Sequence, residues 1–110
     1  MASLFVIQGH DQGKRFELKE PVVRLGRDTS NPIQLCDTEV SRRHAELREE
    51  NGGYVVVDLE SSNGTFVNNQ RVAQQALANG DRVLLGKTMM IFTRGNDPTR
   101  FQRADRRDFP

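Results

Sequence analysis

The sequence predicts an all-β fold, a sandwich or a barrel, from three observations. Apolar residues occur in short clusters, and several of these alternate with polar residues as the two faces of a strand do. Residues that accept a positive φ, as tight hairpin turns require, lie between the clusters. The i, i+3, i+4, i+7 spacing of a long amphipathic helix does not occur in the sequence. Many short strands at close spacing are typical of sandwiches and barrels.

The strand clusters follow one another at short intervals along the chain. In chain order they cover residues 4–7, 16–18, 22–25, 33–35, 45–47, 54–57, 66–67, 83–85 and 89–92. The strongest turn signals are Asn51-Gly52-Gly53, Asn63-Gly64 and Asn79-Gly80. The Ala- and Gln-rich stretch 72–78 predicts a helical turn, too short to change the fold class. Because the strand rhythm stops at Thr93, we predict a domain over 1–94 and a charged linker or tail over 95–110.

Length, charge and cysteine content exclude several classes of protein. A chain of 110 residues is the size of one domain, and its net charge of +1 is lower than a general nucleic-acid-binding domain carries. The longest apolar runs have four residues and no secretory signal is present, so we expect a cytoplasmic protein that does not enter a membrane. Cys36 is the single cysteine, which precludes an internal disulfide. With only His10 and His44 beside it, we expect no metal site and no cofactor.

Two short motifs resemble catalytic sites but do not meet the requirements of those sites. Gly86-Lys87-Thr88 resembles the end of a nucleotide-binding loop, but the first glycine of that motif would fall at Asp81. Ser41, His44 and Asp58 are the residue types of a hydrolase triad, but Ser41 lacks the flanking glycines of a nucleophile elbow. We therefore expect a turn at the first motif and no enzyme at either.

Side chains that bind anions gather in three segments near the ends of predicted strands. The segments are Gly26-Arg27, Ser41-Arg42-Arg43-His44 and Ser61-Ser62-Asn63-Gly64-Thr65. Arginine provides a rigid fork of donors that suits phosphate, serine hydroxyls donate to phosphate oxygens, and asparagine can both donate to and accept from a peptide backbone. Each segment also has an ordinary interpretation as a solvated charge or a turn. From the residue types alone, a shared anion site and three unrelated turns both remain open.

Taken together, these segments resemble the forkhead-associated (FHA) domain. The resemblance rests on the order and spacing of Gly26-Arg27, Ser41-Arg42-Arg43-His44-Ala45, Asp58 and Ser61-Ser62-Asn63-Gly64-Thr65-Phe66-Val67-Asn68. Two further segments match the family: Asn31-Pro32-Ile33-Gln34-Leu35 and Asn79-Gly80-Asp81-Arg82-Val83. The resemblance therefore covers about residues 3–93. The resemblance implies a two-sheet β-sandwich of about eleven strands that binds phosphothreonine peptides and catalyses no reaction.

The resemblance also implies a set of site residues. The implied phosphopeptide ligands are Arg27, Ser41, Arg42, Ser62, Asn63 and Asn68. Three further residues are implied to support the binding loops: His44 by hydrogen bonding, Gly26 by a close approach of backbone, and Gly64 by a positive φ. The residues just before Ser41 are implied to set selectivity for the third residue after the phosphothreonine. Asp37 and Glu39 in that stretch predict that an acidic residue is disfavoured there.

The implied partner is a phosphothreonine-containing protein or peptide within a Ser/Thr kinase pathway. It can be the kinase, a substrate of the kinase, or a phosphorylated segment of the same polypeptide, for which Thr99 in the predicted tail is a candidate. The domain is then part of a larger signalling or regulatory protein. The alternative is an FHA scaffold used for phosphate-independent protein interaction or dimerisation, which would not need Arg27, Ser41, Ser62 and Asn63.

Overall fold

The computed structural model describes residues 2–94, which form eleven strands in two sheets. The strands are β1 (Ala2–Gln8), β2 (Arg15–Leu18), β3 (Val22–Gly26), β4 (Ile33–Gln34), β5 (Ala45–Glu50), β6 (Gly53–Asp58), β7 (Thr65–Val67), β8 (Gln70–Val72), β9 (Gln74–Ala76), β10 (Arg82–Leu85) and β11 (Thr88–Arg94). The predicted all-β sandwich of about eleven strands is confirmed. The predicted tail, 95–110, lies outside the described residues.

Each sheet is held by antiparallel pairing, with one parallel exception. The six-stranded sheet has the order β2-β1-β11-β10-β7-β8, and the five-stranded sheet has the order β4-β3-β5-β6-β9. Strands β3 and β4 pair in parallel, and the remaining pairs are antiparallel. Within residues 2–94, no helix has the length and apolar character needed to cross a membrane.

The core lies between the sheets and is filled by the inward-facing residues of the predicted clusters. Alternation is clearest in β11, where Thr88, Met90 and Phe92 are buried while the residues between them are half-buried. The fully buried apolar side chains are Leu4, Val6, Leu25, Leu35, Val40, Leu47, Val56, Val83, Leu85, Met90 and Phe92. Tyr54 packs edge-on against Phe92, with ring centroids 6.3 Å apart, and its hydroxyl donates to Glu20 O at 3.0 Å.

The helical turn predicted over 72–78 is wrong. The segment is extended, and Gln74–Ala76 forms β9, which pairs with β6 from Val57 to Val55. Between β8 and β9 the chain passes from one sheet to the other at Ala73, whose carbonyl accepts from Asp58 N at 2.9 Å. Pairing with the edge of β6 therefore overrides the helix preference of alanine and glutamine in this short segment.

Strand ends from both sheets meet at one end of the sandwich. Register pairs Leu25 of β3 with Ala45 of β5, and Ala45 with Asp58 of β6. In the other sheet, Leu85 of β10 pairs with both Thr65 of β7 and Thr88 of β11. The connections 27–32, 35–44, 59–64 and 86–87 consequently lie together at this end, which we call the loop end.

Gly26 lets two of these connections approach closely. Arg27 N donates to Ser41 O at 3.0 Å, and Asp28 N donates to Arg42 O at 3.2 Å. A Cβ atom on Gly26 would lie 2.1 Å from Arg42 O and 2.7 Å from Asn31 Nδ2. Only glycine fits between these groups.

Gly26→Ala should therefore destabilise the protein. The added methyl group would force the 35–44 connection away from β3, and overpacking of this kind costs about 1–3 kcal/mol or more. Gly53→Ala is the matched control, because its Cβ would meet nothing closer than Glu50 O at 3.9 Å. Urea unfolding of the two variants measures the difference; equal midpoints would contradict the proposed close approach.

Candidate functional site

Three consecutive residues of the loop end, Glu39 to Ser41, organise the predicted ligands. Glu39 O accepts from Asn63 Nδ2 at 2.8 Å, and Val40 O accepts from Arg27 Nε at 3.0 Å. Ser41 Oγ accepts from Ser62 N at 3.0 Å. The structure thus brings Arg27, Ser41, Ser62 and Asn63 together, although they come from three separate connections.

These contacts leave outward donors available on each side chain. Arg27 uses Nε on Val40, so both terminal nitrogens of its guanidinium remain for another group. The Ser41 hydroxyl oxygen is engaged as an acceptor, so its proton is free to be donated. Arg27, Ser62 and Asn63 are exposed and Ser41 is half-buried, so this side of the loop end is open to solvent.

Positive charge surrounds the cluster. Arg42 and Arg43 are exposed and follow Ser41 directly. The pKa of the nearby Asp28 carboxyl lies below its usual value, mainly because Ser30 donates to it through its hydroxyl and backbone, and also because Arg42 and Arg43 are close. The surface therefore favours a bound anion.

His44 joins the two central connections from inside the protein. Its side chain is completely buried. Nδ1 lies 3.1 Å from Ser41 N, and Nε2 lies 2.9 Å from Gly64 O. Because Ser41 N–H donates to Nδ1, the ring proton must sit on Nε2, which donates to the carbonyl. Burial lowers the pKa of His44 below its usual value and outweighs the opposite effects of Gly64 O and Asp58, so the ring is neutral.

Asp58 fixes the start of the 59–64 connection. Its carboxylate accepts from Ser61 Oγ at 2.6 Å and from Thr65 Oγ1 at 2.7 Å, and Ser61 Oγ accepts from Gly64 N at 2.9 Å. Burial pushes the pKa of Asp58 upward, but these hydrogen bonds outweigh burial and keep it below its usual value. Gly64 has φ +91°, which its position in this tight turn requires.

Asp37 is an anchor that the sequence did not identify. Its buried carboxylate accepts from Glu39 N at 2.9 Å, Lys87 N at 2.8 Å and Thr88 Oγ1 at 2.8 Å. Burial raises its pKa, but these bonds together with the charge of Lys87 bring it below the usual value. The Asp37 carboxylate is thus engaged inside the fold, and the exposed acidic residue of this stretch is Glu39, which pairs with Lys87 at 3.4 Å.

Two asparagines differ from what the sequence predicted. Asn31 is buried and was not among the predicted site residues, yet its Nδ2 donates to both Asp28 O and Arg42 O and fixes the chain beyond Gly26. Asn68 is not brought to the cluster. It lies in the β7–β8 turn, where its side chain contacts Asp81 Oδ1 and Arg82 N, both at 3.0 Å. Asn68 therefore stabilises that turn.

The two catalytic motifs do not form catalytic geometry. Both ring nitrogens of His44 are bound to backbone groups, so the ring is not placed to accept a proton from Ser41 Oγ. Gly86 and Lys87 form the short turn between β10 and β11, as predicted.

His10, Asp11 and Cys36 bring three potential metal ligands within 4.8 Å of one another, but Asp11 is engaged by Cys36 N at 2.7 Å and Lys14 Nζ at 3.1 Å. These contacts explain the cluster as the anchor of a turn.

The buried neutral His44 predicts that stability falls in mild acid. The unfolded chain takes up a proton at His44 as the pH falls through about 6.5, whereas the folded protein resists until a lower pH. The unfolded state then binds more protons, so the free energy of unfolding decreases by up to about 1.4 kcal/mol per pH unit below that point. Asp37 and Asp58 lower the free energy of unfolding further only below about pH 3.8, the usual pKa of an aspartate, because their own pKa values lie below it.

Urea unfolding between pH 7.5 and 5 measures this slope. His44→Gln should be less stable at pH 7.5 and should lose most of the slope. His10→Gln, which changes an exposed histidine, should keep it. An unchanged slope in His44→Gln would show that the ring is not the titrating group.

Comparison with known proteins agrees with this geometry. Residues 5–96 match the family model described as the inner membrane component of T3SS, cytoplasmic domain, which is an FHA-type domain. The glycogen accumulation regulator GarA of Mycolicibacterium smegmatis is 47% identical over 94 residues, which is 86% of this chain and 60% of the relative. The chain therefore spans about three fifths of the length of that relative.

Solved structures give the same assignment. An FHA domain studied for phosphothreonine-dependent interactions superposes with a TM-score of 0.77 at 36% identity, covering 84% of this chain and 94% of that one. EmbR of Mycobacterium tuberculosis, solved in complex with a low-affinity phosphopeptide, gives a TM-score of 0.77 at 32% identity over 84% of this chain and 24% of EmbR. The chain belongs to the forkhead-associated domain family.

Proposed function

We propose that this domain binds phosphothreonine peptides at the surface formed by Arg27, Ser41, Ser62 and Asn63. The observation that carries the proposal is the tethering of Arg27, Asn63 and the Ser62 backbone to three consecutive residues, Glu39 to Ser41. Four outward-facing polar groups are thereby fixed before any ligand arrives. Pre-ordered donors reduce the entropy that is lost on binding.

Phosphate fits this donor set in charge and geometry. A phosphothreonine carries about −1.5 to −2 charges and three acceptor oxygens. The free nitrogens of Arg27 and the hydroxyls of Ser41 and Ser62 supply donors, and Arg42 adds positive charge at the rim. Asn63 keeps its amide oxygen and one N–H for the peptide backbone beside the phosphothreonine.

The domain acts by recognition and not by catalysis in this proposal. The His44 ring has both nitrogens engaged, and arginine beside Ser41 stabilises an anion without removing a proton. An FHA domain studied for phosphothreonine-dependent interactions shares the fold and 36% identity, and EmbR, which contains the same fold, was solved in complex with a low-affinity phosphopeptide. Both support a binding module.

The wider context is a regulatory protein in a Ser/Thr kinase pathway. Relatives include the regulator GarA and an oxoglutarate dehydrogenase inhibitor of Corynebacterium diphtheriae, 42% identical over 92 residues. The partner is a phosphothreonine protein: a kinase, its substrate, or a phosphorylated segment of the same polypeptide. Thr99, the candidate for such a segment, lies outside the described residues. We place the domain in the cytoplasm, where ATP-dependent kinases act and an exposed Cys36 stays reduced.

Fluorescence anisotropy with a degenerate phosphothreonine peptide library tests the proposal. Phosphoserine and unphosphorylated libraries of the same composition run beside it. Binding of the phosphothreonine library alone is the expected result. Equal binding of all three, or binding of none by folded protein, would favour a phosphate-independent interaction scaffold.

Arg27→Ala should weaken phosphothreonine binding at least about 30-fold. Removing one partner of a desolvated charge pair costs about 2 kcal/mol or more, and each 1.4 kcal/mol is about tenfold in affinity. Arg24→Ala is the control on the strand that leads to Arg27, since Arg24 lies on β3 and pairs with Glu46 at 3.6 Å. If both variants bind as tightly as wild type, Arg27 is not a phosphate ligand.

Ser41→Ala and Ser61→Ala should separate binding from folding. Ser41→Ala removes a donor to phosphate and should weaken binding roughly tenfold or more with a smaller loss of stability. Ser61→Ala leaves half-buried Asp58 short of a partner and should chiefly lower the urea midpoint. Anisotropy and urea unfolding of both variants check this, and the reverse assignment of effects would contradict the proposed roles.

A further inference from the structure

One arginine beside the proposed binding surface has no role in the site described so far. Arg71 lies on β8, the edge strand of the six-stranded sheet, opposite Phe66 of β7. A methyl group on Gly64 would lie 2.8 Å from Arg71 Nε, 3.0 Å from Cζ and 3.3 Å from Cδ. The guanidinium therefore lies directly over Gly64, next to Asn63.

The charge of Arg71 is not used by its neighbours. Arg71 is exposed, and among residues 2–94 it takes part in no ion pair. The contrast with the other sheet is informative, because Arg24 and Arg48 on its outer face both pair with Glu46. A guanidinium that is placed against the binding loop and left uncompensated is positioned for an outside anion.

We propose that Arg71 gives the domain a second point of recognition, for a carboxylate on the part of the phosphopeptide that passes over Gly64. This inference rests on the proposed function, because it needs a peptide held at Asn63. Successive residues of an extended peptide are about 3.3–3.6 Å apart, so a side chain two or three residues from the phosphothreonine reaches Arg71. The substrate class is therefore a phosphothreonine peptide with an Asp or Glu at that distance on one side.

Chemistry favours a carboxylate over a neutral group. A guanidinium presents parallel N–H donors that match the two oxygens of a carboxylate. Glu39, the exposed acidic residue beside Asn63, is already paired with Lys87 at 3.4 Å and does not compensate Arg71. An acidic peptide residue is therefore favoured on the side of Arg71.

The expected preference is moderate. Exposed ion pairs contribute up to about 1 kcal/mol, which corresponds to an affinity ratio of about fivefold. The preference should decrease in 0.5–1 M salt, because screening acts over a few ångströms at about 1 M.

A position scan by fluorescence anisotropy tests the inference. Phosphothreonine peptides carry Asp, its neutral counterpart Asn, or Lys at each of four positions on either side of the phosphothreonine. Wild type should prefer Asp to Asn by up to about fivefold at one or two neighbouring positions on one side. Arg71→Gln should abolish this preference, and Arg71→Glu should reverse it so that Lys binds best.

Arg15→Glu is the matched control. Arg15 is exposed on β2, the opposite edge strand of the same sheet, five strand spacings or roughly 24 Å from β8. The change in net charge is identical, so an effect of overall charge would appear in both variants. Arg15→Glu should leave the position scan unchanged, and urea midpoints confirm that all variants are folded.

The outcomes separate this inference from the proposed function. If phosphothreonine peptides bind, Arg27→Ala abolishes binding, and the scan is the same in wild type and Arg71→Glu, then Arg71 only covers Gly64 and the inference is wrong. The same holds if no position prefers Asp to Asn. If no phosphothreonine peptide binds wild type, the proposed function fails, and the inference fails with it.

Discussion

The binding end of this domain depends on two hydrogen bonds made by one buried, neutral imidazole. His44 accepts from Ser41 N and donates to Gly64 O, and these residues belong to two separate connections, one leading to β5 of the five-stranded sheet and the other to β7 of the six-stranded sheet. The hydrogen bond from Ser62 N to Ser41 Oγ links the same two connections nearer the surface. Protonation of the ring would turn its acceptor into a donor facing Ser41 N–H, so the neutral form is the one that the fold can hold.

Two carboxylates, the buried Asp37 and the half-buried Asp58, hold the other connections in place. Asp37 ties the stretch before Ser41 to the β10–β11 turn, and Asp58 ties the stretch after β6 to β7. Each has several donors, so each is stable as an anion despite burial. The exposed ligands therefore stand on a satisfied buried polar network, and such networks fix geometry well. This explains how side chains from three connections are held in one arrangement at the surface.

The sequence predicted those features whose signals are local. Alternating apolar residues located most strands, and the turn signals at Asn51-Gly52, Gly64 and Gly80 coincide with positive φ. The meeting of Arg27, Ser41, Ser62 and Asn63 was expected from a family resemblance and not from spacing. The roles of Asp37 and Asn68 could not be read in the same way, because their partners lie up to 51 residues away and depend on strand register. Likewise, β9 forms because it pairs with the edge of β6, and this tertiary contact has no local signal in the sequence.

The same arrangement determines where ligand selectivity can change at least cost to stability. Residues 36–41 are bound to the core through Asp37 and His44, so a substitution there changes the surface and the anchors together. Strand β8 is different, because it is an edge strand whose residues are exposed or half-buried and whose pairing with β7 uses backbone groups. A change of charge on β8 leaves the core packing intact. Selectivity on that side of the site is thus less coupled to stability than selectivity set by residues 36–41.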